Sequence, residues 1–203
     1  INGTGGSADT LDLASSGYTL TLTGSGMGGS EPLQNAGTLT EGTNSTVKFV
    51  GTSNTLIMDE TFHNLTVAPA SGSPTYTMGN GSSNLVVNAS MTVGDGSNVV
   101  IADFGADETQ TIHDMFILAN ATAKGNPVAS MNISGSWSNN GTYDDAGGFT
   151  DFISTSTETL SGTMTGSSEM GSIQFSGSGG QWTTTANMEA QGISMAAGTL
   201  LGS

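Results

Sequence analysis

The chain contains no arginine, and its only two basic residues are Lys48 and Lys124. Acidic residues number 17, so the formal net charge of the 203 residues is −15. Without arginine the chain has no bidentate donor for phosphate groups, and so large a negative charge repels polyanions. We therefore expect no nucleic-acid, nucleotide or anionic-membrane partner.

Cysteine is also absent, which excludes disulfides and thiol chemistry but does not decide between redox compartments. No apolar run approaches the ~20 residues that a membrane-spanning helix needs, so we expect no membrane span. Hydrophobic residues make up 34% of the chain, aromatic residues 6% and charged residues 9%. The charged fraction is too low for an acidic disordered chain, so a folded domain with a core of small side chains is expected.

Glycine, serine and threonine dominate instead. There are 31 glycines, and serine and threonine together exceed a quarter of the residues. Glycine costs about 1 kcal/mol per interior helix position relative to alanine, which opposes long helices. Threonine favours strands, and glycine and serine favour turns. This composition predicts many short strands separated by tight turns.

The apolar residues alternate with a period of two. Tyr18, Leu20 and Leu22 fall on one side of a predicted strand, with threonines between them, as expected for a half-buried strand. One segment, 109–120, is compatible with either a strand or a single short helix. Further strands are predicted at Val47–Val50, Phe62–Val67, Leu85–Val87, Met91–Val93, Val99–Phe104, Met131–Trp137, Phe149–Ile153, Ser172–Phe175 and Gly192–Met195.

Internal repetition is present at two periods. His63–Val67 matches Ser83–Val87 at an offset of ~20 residues, which is close to the length of one solenoid coil. Five weaker matches, beginning with 35–38 against 139–142, recur in order at offsets near ~100 residues. We therefore predict a single all-β domain over 1–203, with two degenerate repeats at about 1–104 and 105–203 as a further division.

Several segments resemble the repeat regions of microbial surface proteins and adhesins, in which similar short segments alternate along a stacked β-structure. The resemblance implies an extracellular or cell-surface location and a β-repeat fold, and it implies no particular activity. The segments that carry it are Asn139–Tyr143, Phe149–Ile153, Thr159–Gly162, Phe62–Val67, Asn88–Ile101 and Gly198–Gly202.

Catalytic residues are scarce. His63 and His113 are the only histidines, and neither lies in a recognisable nucleophile motif. Glycosidases need two carboxylates, but the acidic pairs fall at predicted strand ends, where aspartate favours bonds to the local backbone. We therefore expect no enzyme. The acidic pairs are Asp59-Glu60, Asp103 with Asp107-Glu108, and Asp144-Asp145.

No cofactor is expected. Calcium is the one ion for which the chain supplies oxygen ligands, at Asp103–Glu108 or Asp144-Asp145. No calcium-binding repeat occurs there, so solvated acidic turns are the favoured interpretation. Lys48 lies within a predicted strand, where a charge on an edge strand is a more frequent explanation than an isopeptide cross-link to Asn or Asp.

Asn-x-Ser/Thr sequons are in mild excess over chance, and those in or near turns are candidate glycosylation sites. Glycans are accordingly a second expected class of partner, either attached covalently at these sequons or bound noncovalently by the chain. The six candidates are Asn2, Asn44, Asn80, Asn120, Asn132 and Asn140.

The fold expected from these features is a stacked β-helix (solenoid), with an antiparallel β-sandwich or jelly roll as the alternative. Neither terminus carries an obvious polar cap, so we expect copies to associate head to tail, for instance by strand complementation. The expected function is a structural subunit of an extracellular filament or surface layer. A polysaccharide-binding or polysaccharide-cleaving module and a viral fibre segment are the alternatives. Candidate self-association residues are Leu11, Leu13, Tyr18, Leu20 and Leu22.

Overall fold

The computed structural model describes residues 10–14, 17–34, 38–79, 84–105 and 108–202. The described residues are 51% strand and 2% helix and form a β-solenoid of about seven turns. Every strand pair among the described residues is parallel. The predicted stacked β-helix is therefore confirmed, and the antiparallel sandwich is wrong.

Within the described residues, the coils consist of twenty short strands and one 3₁₀ turn at Gly166–Ser168. The strands are β1 Thr10–Leu13, β2 Thr19–Leu22, β3 Thr38–Glu41, β4 Thr46–Phe49, β5 Thr55–Ile57, β6 Thr61–Val67, β7 Thr75–Met78, β8 Val86–Val93, β9 Val100–Asp103, β10 Gln110–Ile117, β11 Ala121–Lys124, β12 Ser130–Ile133, β13 Trp137–Asn139, β14 Thr142–Asp144, β15 Phe149–Phe152, β16 Thr157–Gly162, β17 Ser172–Phe175, β18 Gln181–Thr184, β19 Gly192–Met195 and β20 Thr199–Gly202.

A thirteen-stranded sheet bends to form two faces of the solenoid, and a five-stranded sheet forms the third. Face 1 holds β12, β15, β17 and β19, and face 2 holds β2, β4, β13, β16, β18 and β20. The long strands β6, β8 and β10 run through both faces, and β10 pairs with β12 by one half and with β13 by the other. Face 3 holds β5, β7, β9, β11 and β14. β1 and β3 pair with each other in a separate two-stranded sheet. In the chain each of them comes just before a face 2 strand, which is the position that the face 1 strands have in the later coils.

The core lies inside the coils because the inward side chains of each strand stack on those of the next coil. On face 2, for example, Val47, Leu65 and Met91 occupy the same position in successive strands and are fully buried. Stability in such an array adds up from contacts between neighbouring coils. Small side chains suffice because each coil covers the apolar face of the one before it.

Aromatic side chains fill the core of the C-terminal half. The Trp137 ring lies 4.9 Å from the Tyr143 ring in an edge-on contact. Phe175 stacks on Phe152 at 5.0 Å and lies 4.9 Å from Trp182. Both tryptophans are fully buried, so each contributes a large apolar area to the core.

Some predicted strands differ in extent from the observed ones. Segment 109–120 contains the strand β10 and not a helix. The predicted strand Met131–Trp137 is two strands, β12 and β13, because the chain turns at 134–136 from face 1 to face 2. Leu65 pairs with Met91 rather than with Leu85, so the true coil offset here is 26 residues and not ~20. The division into two long repeats stays a prediction.

Candidate association surface at the ends of the solenoid

The C-terminal end of the solenoid is a coil with an open face. β19 pairs with β17 and β20 pairs with β18, and no other described strand covers their outer edges. Ile193 and Met195 continue the inward positions of Ile173 and Phe175. They are nevertheless 51% and 47% exposed. An inward apolar side chain that stays half in water is the mark of a surface that a further layer would cover.

The N-terminal end carries the residues predicted for self-association. β1 pairs with β3 and β2 with β4, again with no other described strand on the outer side. Leu11, Leu20 and Leu22 are half-buried and pack on the core, and Leu13 is buried. Tyr18 is 52% exposed. The structure therefore brings these five residues together in the first coil, at the opposite end from β19 and β20.

Sequence reasoning did not single out the C-terminal residues Ile193, Met195 and Leu201. The signal that could have found them is charge. No side chain from Ala190 to Ser203 is charged, and none from Leu13 to Ser30. In a chain with a net charge of −15, both stretches lack acidic side chains, although Asp12 lies in β1 just before the second of them.

A cavity of about 510 Å³ lies beside the last coil. It is lined by Thr184–Met188, which begin at the last residue of β18, and by Leu200–Gly202 of β20. The cavity thus belongs to the same open end.

A row of hydrogen-bonded polar side chains runs along the bend between faces 1 and 2. Ser90 donates to the Asn64 Oδ1 at 2.7 Å, and the Asn64 side chain donates to the Ser45 carbonyl at 2.8 Å. Further along, the Ser136 hydroxyl donates to Glu158 at 2.8 Å. These hydrogen bonds join residues of neighbouring coils along the bend.

The two histidines lie at this bend, where β6 and β10 are irregular. The register of β6 shifts around His63, and that of β10 shifts around His113. The His63 backbone N–H donates to the Glu41 carboxylate, which also accepts the Ser45 hydroxyl. Burial raises the pKa of Glu41 above its ordinary value of 4.5, and the hydrogen bond from His63 opposes the shift only in part.

Replacing Glu41 by glutamine should stabilise the protein at neutral pH, by no more than about 1 kcal/mol because the side chain is only half-buried. A carboxyl with a raised pKa binds a proton more readily in the folded chain, so stability falls as pH rises above 4.5. Glutamine keeps the acceptor for His63 without the charge. Thermal unfolding at a series of pH values checks this: the advantage of Glu41→Gln should vanish in acid, and an advantage that is constant with pH would contradict it.

Asp103 and Asp144, one residue from each of two acidic pairs, make the contacts of turn-forming carboxylates. Asp103 lies 3.4 Å from the Lys124 ammonium and accepts the Gly105 N–H at 3.0 Å. Asp144 accepts the Ala146 N–H at 3.0 Å. Asp107 lies outside the described residues. Within the described ranges, no group of three or more histidine, cysteine or acidic side chains is placed to hold a metal ion.

The glycosylation candidates occupy different environments. Asn44 and Asn140 are exposed in turns. Asn120 is exposed, but its side-chain nitrogen donates to the carbonyls of Gly96 and Ser97 at 3.2 and 3.3 Å. Asn132 is half-buried within β12. Asn2 and Asn80 lie outside the described residues, and glycosylation stays a prediction for all six.

Lys48 does not lie on an edge strand. Its strand β4 is flanked by β2 and β6, with Thr21 and Thr66 as its neighbours. The expected edge-strand role is therefore wrong, and the ammonium stands on the outer surface of face 2. No helix in the described part of the chain is long and apolar enough to cross a membrane.

Comparisons with protein-family models, curated proteins and solved structures found no match to this chain. Any functional conclusion therefore depends on the geometry of the solenoid and its ends.

Proposed function

We propose that the chain is a structural subunit of an extracellular filament or cell-surface layer, in which copies associate head to tail along the solenoid axis. The observation that carries the proposal is the half-exposure of Ile193 and Met195, two side chains in core positions of the last coil. Covering them with another coil would bury apolar surface at about 25 cal/mol per Å². It would also pair the open backbone edges of β19 and β20.

The distribution of charge favours growth along the axis. The last coil carries no charged side chain from Ala190 onward, and Asp12 is the one charged residue in β1 and β2 of the first coil. Like charges on the flanks repel neighbouring rods, and this repulsion falls with salt. Ends therefore meet with little repulsion, whereas lateral aggregation is suppressed.

The extracellular part of the proposal depends on composition. A chain rich in glycine, serine and threonine, with several exposed Asn-x-Ser/Thr sequons and only two lysines, suits a surface exposed to proteases. A parallel solenoid without disulfides supplies stability by stacking.

Sedimentation velocity and negative-stain microscopy of the 203-residue chain test this proposal. At low salt we expect an average mass that rises with protein concentration without reaching a plateau, together with unbranched rods of single-solenoid width. High salt should add lateral bundles, because flank repulsion is then screened.

Two outcomes would contradict the proposal. A compact monomer at every concentration and salt would exclude self-association. A closed trimer of constant mass would contradict open head-to-tail growth. It would favour the alternative of a fibre segment, which has closed threefold symmetry.

A further inference from the structure

We propose that the joint between two copies has a defined register: β1 of one copy pairs in parallel with β19 of the next, and β2 pairs with β20. This inference rests on the proposed head-to-tail association and specifies its contact. In this register Thr10 lies beside Gly192, and Thr19 lies beside Thr199. The occupant of the open C-terminal face is therefore the first coil of a second copy.

The layout of the first coil supports this register. β1 and β2 are four-residue strands separated by five residues, 14–18, of which 15 and 16 lie outside the described residues. β17 and β18 are also four-residue strands, joined by a corner of five residues, 176–180. The coil of β17 and β18 already pairs with one edge of β19 and β20, with Ser172 opposite Gly192 and Gln181 opposite Thr199. A coil of the same layout could pair with their other edge in the same way.

The side chains that meet in this register are apolar on both sides. Leu11 and Leu13 point inward from β1 and would stack on Ile193 and Met195. On face 2, Leu20 would stack on Leu200. Leu22 would lie above Gly202, where the last coil has no side chain. A slip by one residue would place these inward side chains beside outward side chains of the other copy. The register is therefore strongly favoured over its one-residue neighbours.

The register also sets the axial repeat of the filament. Face 2 contains nine strands, from β2 to β20. Neighbouring strands lie about 4.8 Å apart, so a joint with the same spacing gives a repeat of about 43 Å. A joint made by end contacts without strand pairing would give a longer repeat.

Engineered cysteines test the register, because the chain has no cysteine of its own. We would make Thr19→Cys/Thr199→Cys for face 2 and Thr10→Cys/Gly192→Cys for face 1. All four positions are exposed, and added side-chain atoms at Gly192 meet no neighbour. Adjacent parallel strands place Cα atoms within the range for a disulfide. After oxidation with diamide, both pairs should give a ladder of covalent oligomers that reductant collapses to monomer.

Two control pairs make the result specific. Thr21→Cys/Thr199→Cys is displaced by two residues and should give little ladder. Thr183→Cys/Leu201→Cys lies in register within one chain. This pair should give a disulfide within each chain and no covalent oligomers. If the displaced pair forms the ladder instead, or rods form with a repeat well above 43 Å, the register is overturned while head-to-tail association stands. If no variant associates, as judged by sedimentation, the proposed function fails as well.

Discussion

Replacing Trp137 by alanine should lower the free energy of unfolding by about 3–5 kcal/mol. Trp137 is fully buried in β13, between Met115 of the preceding coil and Leu160 of the following one. Its ring contacts Tyr143 edge-on at 4.9 Å. The parallel ladders on both sides hold the neighbouring coils at a fixed spacing, so the surroundings cannot collapse into the cavity.

Trp137→Phe is the matched control. Phenylalanine keeps an aromatic ring near Tyr143, and it removes an indole N–H that is buried without a hydrogen-bond partner among the described residues. We expect less than half of the loss caused by alanine. Denaturant unfolding followed by circular dichroism measures both. An alanine variant that loses under about 1 kcal/mol would show that the coils do relax around the cavity.

Replacing Met195 by lysine should weaken self-association by about 100-fold or more. In the single chain Met195 is 47% exposed, so a lysine ammonium can reach water and the fold should persist. In the joint the same ammonium would lie against Leu13 of the next copy, on the opposite side of β1 from the exposed Asp12. Leaving a charge buried and unpaired costs about 3 kcal/mol or more, and each 1.4 kcal/mol is a factor of ten in affinity.

Val128→Lys is the control for charge. Val128 is 65% exposed on the flank of the solenoid, and its replacement changes the net charge by the same amount as Met195→Lys. Sedimentation velocity should show the Val128 variant associating like the unchanged chain and the Met195 variant remaining monomeric. Thermal unfolding of both confirms that they are folded. Equal association of the two variants would place the contact elsewhere on the molecule.

The proposed association surface could be predicted only in part. The apolar alternation of Leu11–Leu22 indicated the N-terminal coil, because period two is visible in a single strand. The C-terminal coil was not predicted to be part of this surface, because Ile193 and Met195 have the same alternation as residues of any buried strand. Their exposure depends on the absence of a described coil beyond β19, which is a property of the stack and not of the local sequence.

The third face was largely missed for a related reason. Its strands β5, β7, β11 and β14 have three or four residues each, and β11 turns only Ala121 and Ala123 inward. Such short runs of small side chains give a weak apolar signal. The corner at 134–136 was missed because alternation continues through Gly135 from Ile133 to Trp137, although the chain changes face there.

The sequence by itself determined that this protein is built of short strands with one apolar side, since glycine, serine and threonine oppose helices and the apolar residues recur every second position. Tertiary structure alone decided that the strands run parallel, which residues share a level in the stack, and which apolar side chains remain in water. The physical reason is that alternation records only which side of a strand is buried. Direction, register and the position of the ends are set by how whole coils cover one another.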